Sequence, residues 1–175
     1  MKTILLILTL TLILTQKTFA NPLDDQLKNL THKQAGVMYK TYYAGKPFDL
    51  EWTLTAIAWR EASFKEGAFN PVTRDYGLFQ INYYTYTRRF AKDIEQTGIS
   101  DSSLRKLLRY DFQVGLSAAV AELTFWKKAR RGNWLDIWAS YNTGTVLDNK
   151  GRIYAAEIEA RIHALQRYFK AKGIK

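Results

Sequence analysis

LTAIAWREASFKEGAFNPVTRDYGLFQIN, residues 54–82, is the stretch from which the rest of this 175-residue chain is read. Leu50, Leu54, Ile57 and Ala58 recur at the spacing of one helix face, and Asp49 stands ahead of them as an N-cap. The next position on that face is Glu61. It falls seven residues after Leu54 and four after Ile57, so it points inward, where Glu is rare unless paired or functional. Burial disfavours the charged carboxylate, and the carbonyls of a helix's last turn oppose a second negative charge. Both effects keep the proton on, and an uncharged carboxyl at neutral pH is what general-acid chemistry requires. The competing reading turns Glu61 outward to pair with Arg60 or Lys65, since structural ion pairs also occupy such positions.

Further along, Gly77-Leu78-Phe79-Gln80-Ile81-Asn82 sets an amide side chain between apolar residues, with Asp75-Tyr76 immediately before it. Together with AIAWREASF, Asn70-Pro71 and Ser140-Tyr141-Asn142-Thr143-Gly144, this order of motifs resembles the lysozyme-like lytic transglycosylases of bacterial cell walls. Within them it is most similar to the small exported branch associated with secretion systems and pili. The resemblance covers the chain from about Leu54 to Ile162. No single motif is decisive, but three in this order are specific.

The resemblance implies a lysozyme-like single domain, mainly α with at most a small hairpin, that acts on peptidoglycan. In that family the acid protonates the oxygen between N-acetylmuramic acid and N-acetylglucosamine. The same group, now a base, helps the muramic 6-hydroxyl close onto the anomeric carbon and leave a 1,6-anhydro end. Glu61 matches that acid. Gln80 matches a glutamine that lines the sugar cleft, Tyr141 and Asn142 a pair facing the acid, and Tyr154 a later tyrosine. Tyr76, beside Asp75, is counted with them as a substrate contact. Each position also has a plainer reading. A tyrosine on the apolar stripe of the last helix is most often core, and Asn142 ahead of Thr143-Gly144 suits a helix end. One departure concerns the family's serine directly after the acid: here that position is Ala62, and Ser63 follows.

Asp75 opens a second enzymatic reading. Asp-Tyr-Gly before Leu-Phe-Gln-Ile-Asn also resembles animal-type lysozymes, whose Asp at that place is the second carboxylate. A retaining hydrolase holds two carboxyl groups about 5 Å apart, one as acid and one as nucleophile or stabiliser. Asp75 fits that role, or lends only electrostatic help in a transglycosylase; its plainer reading is a pair with Arg74 or a cap on the turn at Gly77. A third reading, a non-catalytic wall-binding or assembly module, needs sugar-contacting Tyr and Trp but no interior acid.

Composition narrows the setting. Lys and Arg number 26 against 16 Asp and Glu, for a formal charge of +10. This suits an anionic polymer or surface, while the basic residues carry no nucleic-acid recognition motif. Cysteine is absent, so a lipid-modified cysteine anchor is excluded and the core must hold without crosslinks. The two histidines, His32 and His163, lie in no ligand spacing, so neither a metal site nor another cofactor is expected. Met1-Lys2, the apolar run Ile4 to Leu14 and Thr18-Phe19-Ala20 form a charged, apolar and small-residue series shorter than the ~20 residues of a membrane span. Residues 1–20 are therefore read as a cleaved signal peptide and residues 21–175 as one periplasmic, monomeric domain. Cleavage lowers the charge to +8 through loss of Lys2 and Lys17. The resemblance adds parts of a secretion or pilus machine as partners.

The remaining elements follow from periodicity and caps. Residues 21–31 are irregular or a short helix, residues 37–43 are helical or extended, and residues 65–76 form a loop or small hairpin. A helix over residues 85–94 closes at Gly98, and Ser100 or Asp101 caps the next. Asp111 caps a longer helix whose face carries Gly115, Ala118, Ala119 and Leu123; Glu122, on or near that face, is the one other candidate for a catalytic acid, with packing at the edge the expected role. Tyr154, Ile158, Ile162, Leu165 and Phe169 stripe the last helix. Export with cleavage after Ala20 predicts a mature protein whose N-terminal residue is Asn21. Mass spectrometry of the periplasmic fraction checks this, and full-length protein retained on carbonate-washed membranes would contradict it.

Overall fold

The structure is a computed structural model and describes residues 21–174; the expected signal peptide lies outside the described residues. The chain is mainly helical. Pro22–Lys28 (α1) and His32–Gly45 (α2) come first. Thr31 opens α2 with a reciprocal cap, its hydroxyl accepting from Gln34 N while the Gln34 side chain accepts from Thr31 N. A 3-10 turn at Lys46–Phe48 leads to Glu51–Ala62 (α3). Asp49 does not cap α3: it is the left-handed residue that closes the 3-10 turn, at φ 55°, and Leu50 takes the N-cap position without a side-chain bond. Glu51 complements the helix dipole instead.

Residues 53–59 of α3 are all buried, so the helix is enclosed on nearly every side rather than along the single stripe read from Leu50, Leu54, Ile57 and Ala58. The cause is sandwiching, as α3 packs on α2 on one side and on the last helix, Asn149–Ala171 (α9), on another. Thr55 enters this apolar setting by donating its hydroxyl to Glu51 O at 2.6 Å. Tyr42 of α2, Trp52 of α3 and Phe169 of α9 join the three helices, with ring centroids 4.5–5.4 Å apart.

Three two-residue strands, Phe69–Asn70 (β1), Asp75–Tyr76 (β2) and Ile81–Asn82 (β3), form an antiparallel sheet in sequence order. Asp75 sits in the middle strand with Asn70 and Asn82 as its cross-strand partners. A break at Phe90 divides the expected helix of residues 85–94 into Tyr83–Arg89 (α4) and Ala91–Thr97 (α5). Then come Asp101–Tyr110 (α6), capped by Ser100, and Phe112–Ala129 (α7), capped by Asp111. Trp134–Thr143 (α8) packs against α9. No helix among the described residues is long and apolar enough to cross a membrane.

Gly77 fixes the sheet to α6. Its φ is +74°, its N–H donates to Ala68 O at 2.8 Å, and a Cβ there would lie 2.1 Å from Leu108 O. Both the left-handed backbone and the close approach require glycine. Gly77→Ala is expected to cost about 2–4 kcal/mol, from a disfavoured φ plus overpacking against backbone. Urea denaturation measures it, and a loss below about 1 kcal/mol would contradict this account of the contact.

Candidate active site

Glu61 occupies the last turn of α3, one residue before the helix ends. Ser63 and Phe64 then turn left-handed at φ 47° and 59°, with Ser63 N bonded to Trp59 O and Phe64 N to Ala58 O. Phe64 thereby returns to the core and stacks on Trp59, while Glu61 stays half-buried at the edge. Neither cation of the outward reading holds Glu61 by a salt bridge. Arg60 bonds Glu157 of α9 at 2.5 Å, and Lys65 is exposed.

The Glu61 carboxyl is held above its ordinary pKa. Burial is the main cause, opposed by Tyr154 and Arg60, reinforced by the negative charge of Asp75, and opposed again by Arg161. Tyr154 is wholly buried on α9, and its hydroxyl forms no hydrogen bond of full geometry, yet it stands close enough to Glu61 for each to shift the other. Tyr141 and Tyr154 are both pushed well above the usual phenol range, first by burial and then by Glu61, so both remain protonated at neutral pH.

The sheet delivers Asp75. The Thr73 hydroxyl donates to one carboxylate oxygen at 2.5 Å, and Asn82 Nδ2 donates to the other at 2.8 Å. Asn82 also donates to Thr73 O, while its own Oδ1 accepts from Thr85 N and caps α4. One amide thus ties β3, the β1–β2 turn and α4 around the carboxylate.

Glu61, Asp75, Gln80, Tyr141 and Asn142 line a single cleft of about 480 Å³. Gln80 is left-handed at φ 47° and donates its side-chain amide to Gly77 O at 2.8 Å. Tyr141 donates its hydroxyl to Phe79 O at 2.9 Å, so α8 grips the segment that carries Gln80. Asn142 is exposed inside the last turn of α8, which closes at Gly144. Two of the expected contacts lie elsewhere. Tyr76 is buried between Phe69 and Tyr83, and Tyr154 sits behind Glu61 rather than on the cleft surface. Ser63 does not replace the serine missing at Ala62, because it is exposed and its carbonyl accepts from Gln34.

Residues that sequence reasoning misplaced or passed over complete the walls. Glu122 is no edge residue: it is buried in the cleft lining and paired with Arg89. Arg89 in turn lies over the rings of Phe125 and Trp126, at 4.2 and 4.6 Å. Arg130 bonds Ser140 Oγ at 2.8 Å and Thr145 O at 2.7 Å, setting the loop after α8 against the cleft. Glu122 was visible as an acid on a helical face; its partner, 33 residues earlier, was not.

Against known proteins, the family model described as Transglycosylase SLT domain matches residues 38–162. Searches of the curated proteins and of the solved structures gave no significant match.

The raised pKa of Glu61 fixes a pH signature. A carboxyl whose folded pKa exceeds its unfolded value binds more protons in the native state, so its contribution is fully present below the unfolded value, ordinarily near 4.5, and is lost as pH rises through the folded value. Glu61→Gln removes that loss. Urea denaturation at pH 4 and pH 7 is expected to show Glu61→Gln gaining stability relative to wild type at the higher pH. A relative loss would mean that the carboxylate is stabilised by folding.

Proposed function

Since the chain belongs to the Transglycosylase SLT domain family, whose members act on peptidoglycan, we propose that Glu61 is its acid and base and that the cleft cleaves the bond between N-acetylmuramic acid and N-acetylglucosamine. The observation that carries the reading is a carboxyl whose pKa is raised by burial at the end of a core helix, in the lining of a cleft. Glu61 gives its proton to the glycosidic oxygen as the bond to the anomeric carbon breaks. The resulting carboxylate takes the proton of the muramic 6-hydroxyl while that oxygen bonds to the anomeric carbon. Glu61 ends protonated, no water is consumed, and the product is a 1,6-anhydro end.

In this mechanism Asp75 stabilises the positive charge that develops at the anomeric carbon. Both of its oxygens already accept hydrogen bonds, from Thr73 and Asn82, which lowers their nucleophilicity and supports an electrostatic over a covalent role. The hydrolytic alternative uses the same two carboxyls, with Asp75 as nucleophile or stabiliser and water as the final acceptor. Gln80 and Asn142 contact the sugars directly. Tyr141 positions the Gln80 segment and Tyr154 backs the acid. Export through residues 1–20, action in the periplasm as a monomer, and local wall opening for a secretion or pilus machine complete the reading.

Digestion of purified sacculi tests it. Glu61→Gln is expected to fall below about a hundredth of wild-type activity, the usual lower contribution of general-acid catalysis. Asp75→Asn is expected to slow the reaction while leaving the product lighter than a reducing end by one water. Reducing ends from the wild type would favour hydrolysis, and a fully active Glu61→Gln would place the acid elsewhere.

A further inference from the structure

The cleft carries more positive charge than a glycan needs. Of its three basic side chains, Arg89 is committed to Glu122, whereas Arg88 of α4 and Lys150 of α9 are exposed and have no hydrogen-bond or ion-pair partner among the described residues. Lys150 stands in the first turn of α9, where the helix dipole disfavours a cation, and the capping Asp148 accepts from Gly151 N rather than pairing with it. Both border the channel that holds Glu61 and Asp75.

The sugars of the strand are uncharged once the lactyl carboxyl of muramic acid is joined to peptide. The carboxylates of such a substrate lie on its peptide stems. We propose that Arg88 and Lys150 form a rim that binds the carboxylates of the peptide stems and so favours strands whose stems are charged. The proposal rests on the peptidoglycan reading of the cleft and adds which form of the polymer the cleft takes. Two exposed cations act through screened attraction, so their effect falls with salt. Selectivity arises because a strand whose stem carboxylates are neutralised gains nothing from the two cations.

The test compares intact sacculi with sacculi whose stem carboxylates have been converted to neutral amides by carbodiimide and ethanolamine, the lactyl carboxyls staying joined to peptide. The Arg88→Ala, Lys150→Ala double variant is expected to lose about three- to tenfold in rate on intact sacculi, the scale of two exposed ion contacts, and to change by less than about twofold on amidated ones. Arg88→Lys with Lys150→Arg should restore the rate on intact material. Lys106→Ala with Lys170→Ala, which removes equal charge away from the cleft, should show no such contrast. Rising salt should bring the wild type toward the double variant on intact sacculi only. Equal losses on both substrates, no loss on intact sacculi, or the same contrast in the control pair would overturn the proposal. The outcome is separable from the transglycosylase reading: reducing ends would sink that reading and leave the contrast standing, whereas the contrast can vanish while anhydro ends persist.

Discussion

The structure depends on holding one carboxyl, Glu61, where water reaches it poorly. Burial penalises the charged form of a carboxyl, so its main effect on Glu61 is to raise the pKa. The surroundings temper that outcome without reversing it. Arg60 and Arg161 both pull toward ionisation, but Arg60 is bonded to Glu157 and Arg161 donates to the Glu157 backbone, so neither closes on Glu61. Asp75 pushes the other way from the sheet. The balance leaves an acid that can give up its proton to a leaving group and still recover it.

The rest of the fold serves that balance. Enclosure of α3 by α2 and α9 makes Glu61 the point where a core helix meets the cleft, and the left-handed pair Ser63-Phe64 ends the helix there. Gly77 lets the sheet seat against α6, and Asn82 orients Asp75 while capping α4. On the opposite side, Tyr141 and Arg130 fix the end of α8 through backbone carbonyls, so the wall carrying Asn142 is set by packing rather than by the loop alone. Two carboxylates therefore reach the cleft with different freedoms: Glu61 without a short bond, and Asp75 bound on both oxygens.

Much of this was legible in the sequence because it follows local rules. Helical spacing placed Glu61 inward, Asp111 and Ser100 cap the helices they precede, and the stripe from Tyr154 to Phe169 packs as read, with Ile162 only partly buried. What escaped depends on backbone conformation that residue type does not fix, or on residues far apart in the chain. Asp49 satisfies the N-cap rule by residue type, yet the 3-10 turn before it uses it as a left-handed stop. Glu122 obeys the same periodicity that singled out Glu61, but Arg89 makes it a paired wall residue rather than a second acid. Tyr76 borders a motif that lines the cleft, and strand alternation turns its ring to the core while Asp75 faces the channel. Alternation was assignable only once the register of the three strands was known.

The central claim is that burial holds the Glu61 carboxyl above its ordinary pKa, as a general acid requires. Carbon-13 labelling of glutamate side chains, with Glu61→Gln to identify the resonance, allows its carboxyl to be titrated directly by NMR. The account expects a midpoint above the ordinary value of about 4.5, moving down in Asp75→Asn as the neighbouring negative charge is removed. A midpoint at or below the ordinary value would mean that Arg60, Arg161 and Tyr154 together outweigh burial, and Glu61 would then be an ionised structural residue that cannot act as the acid.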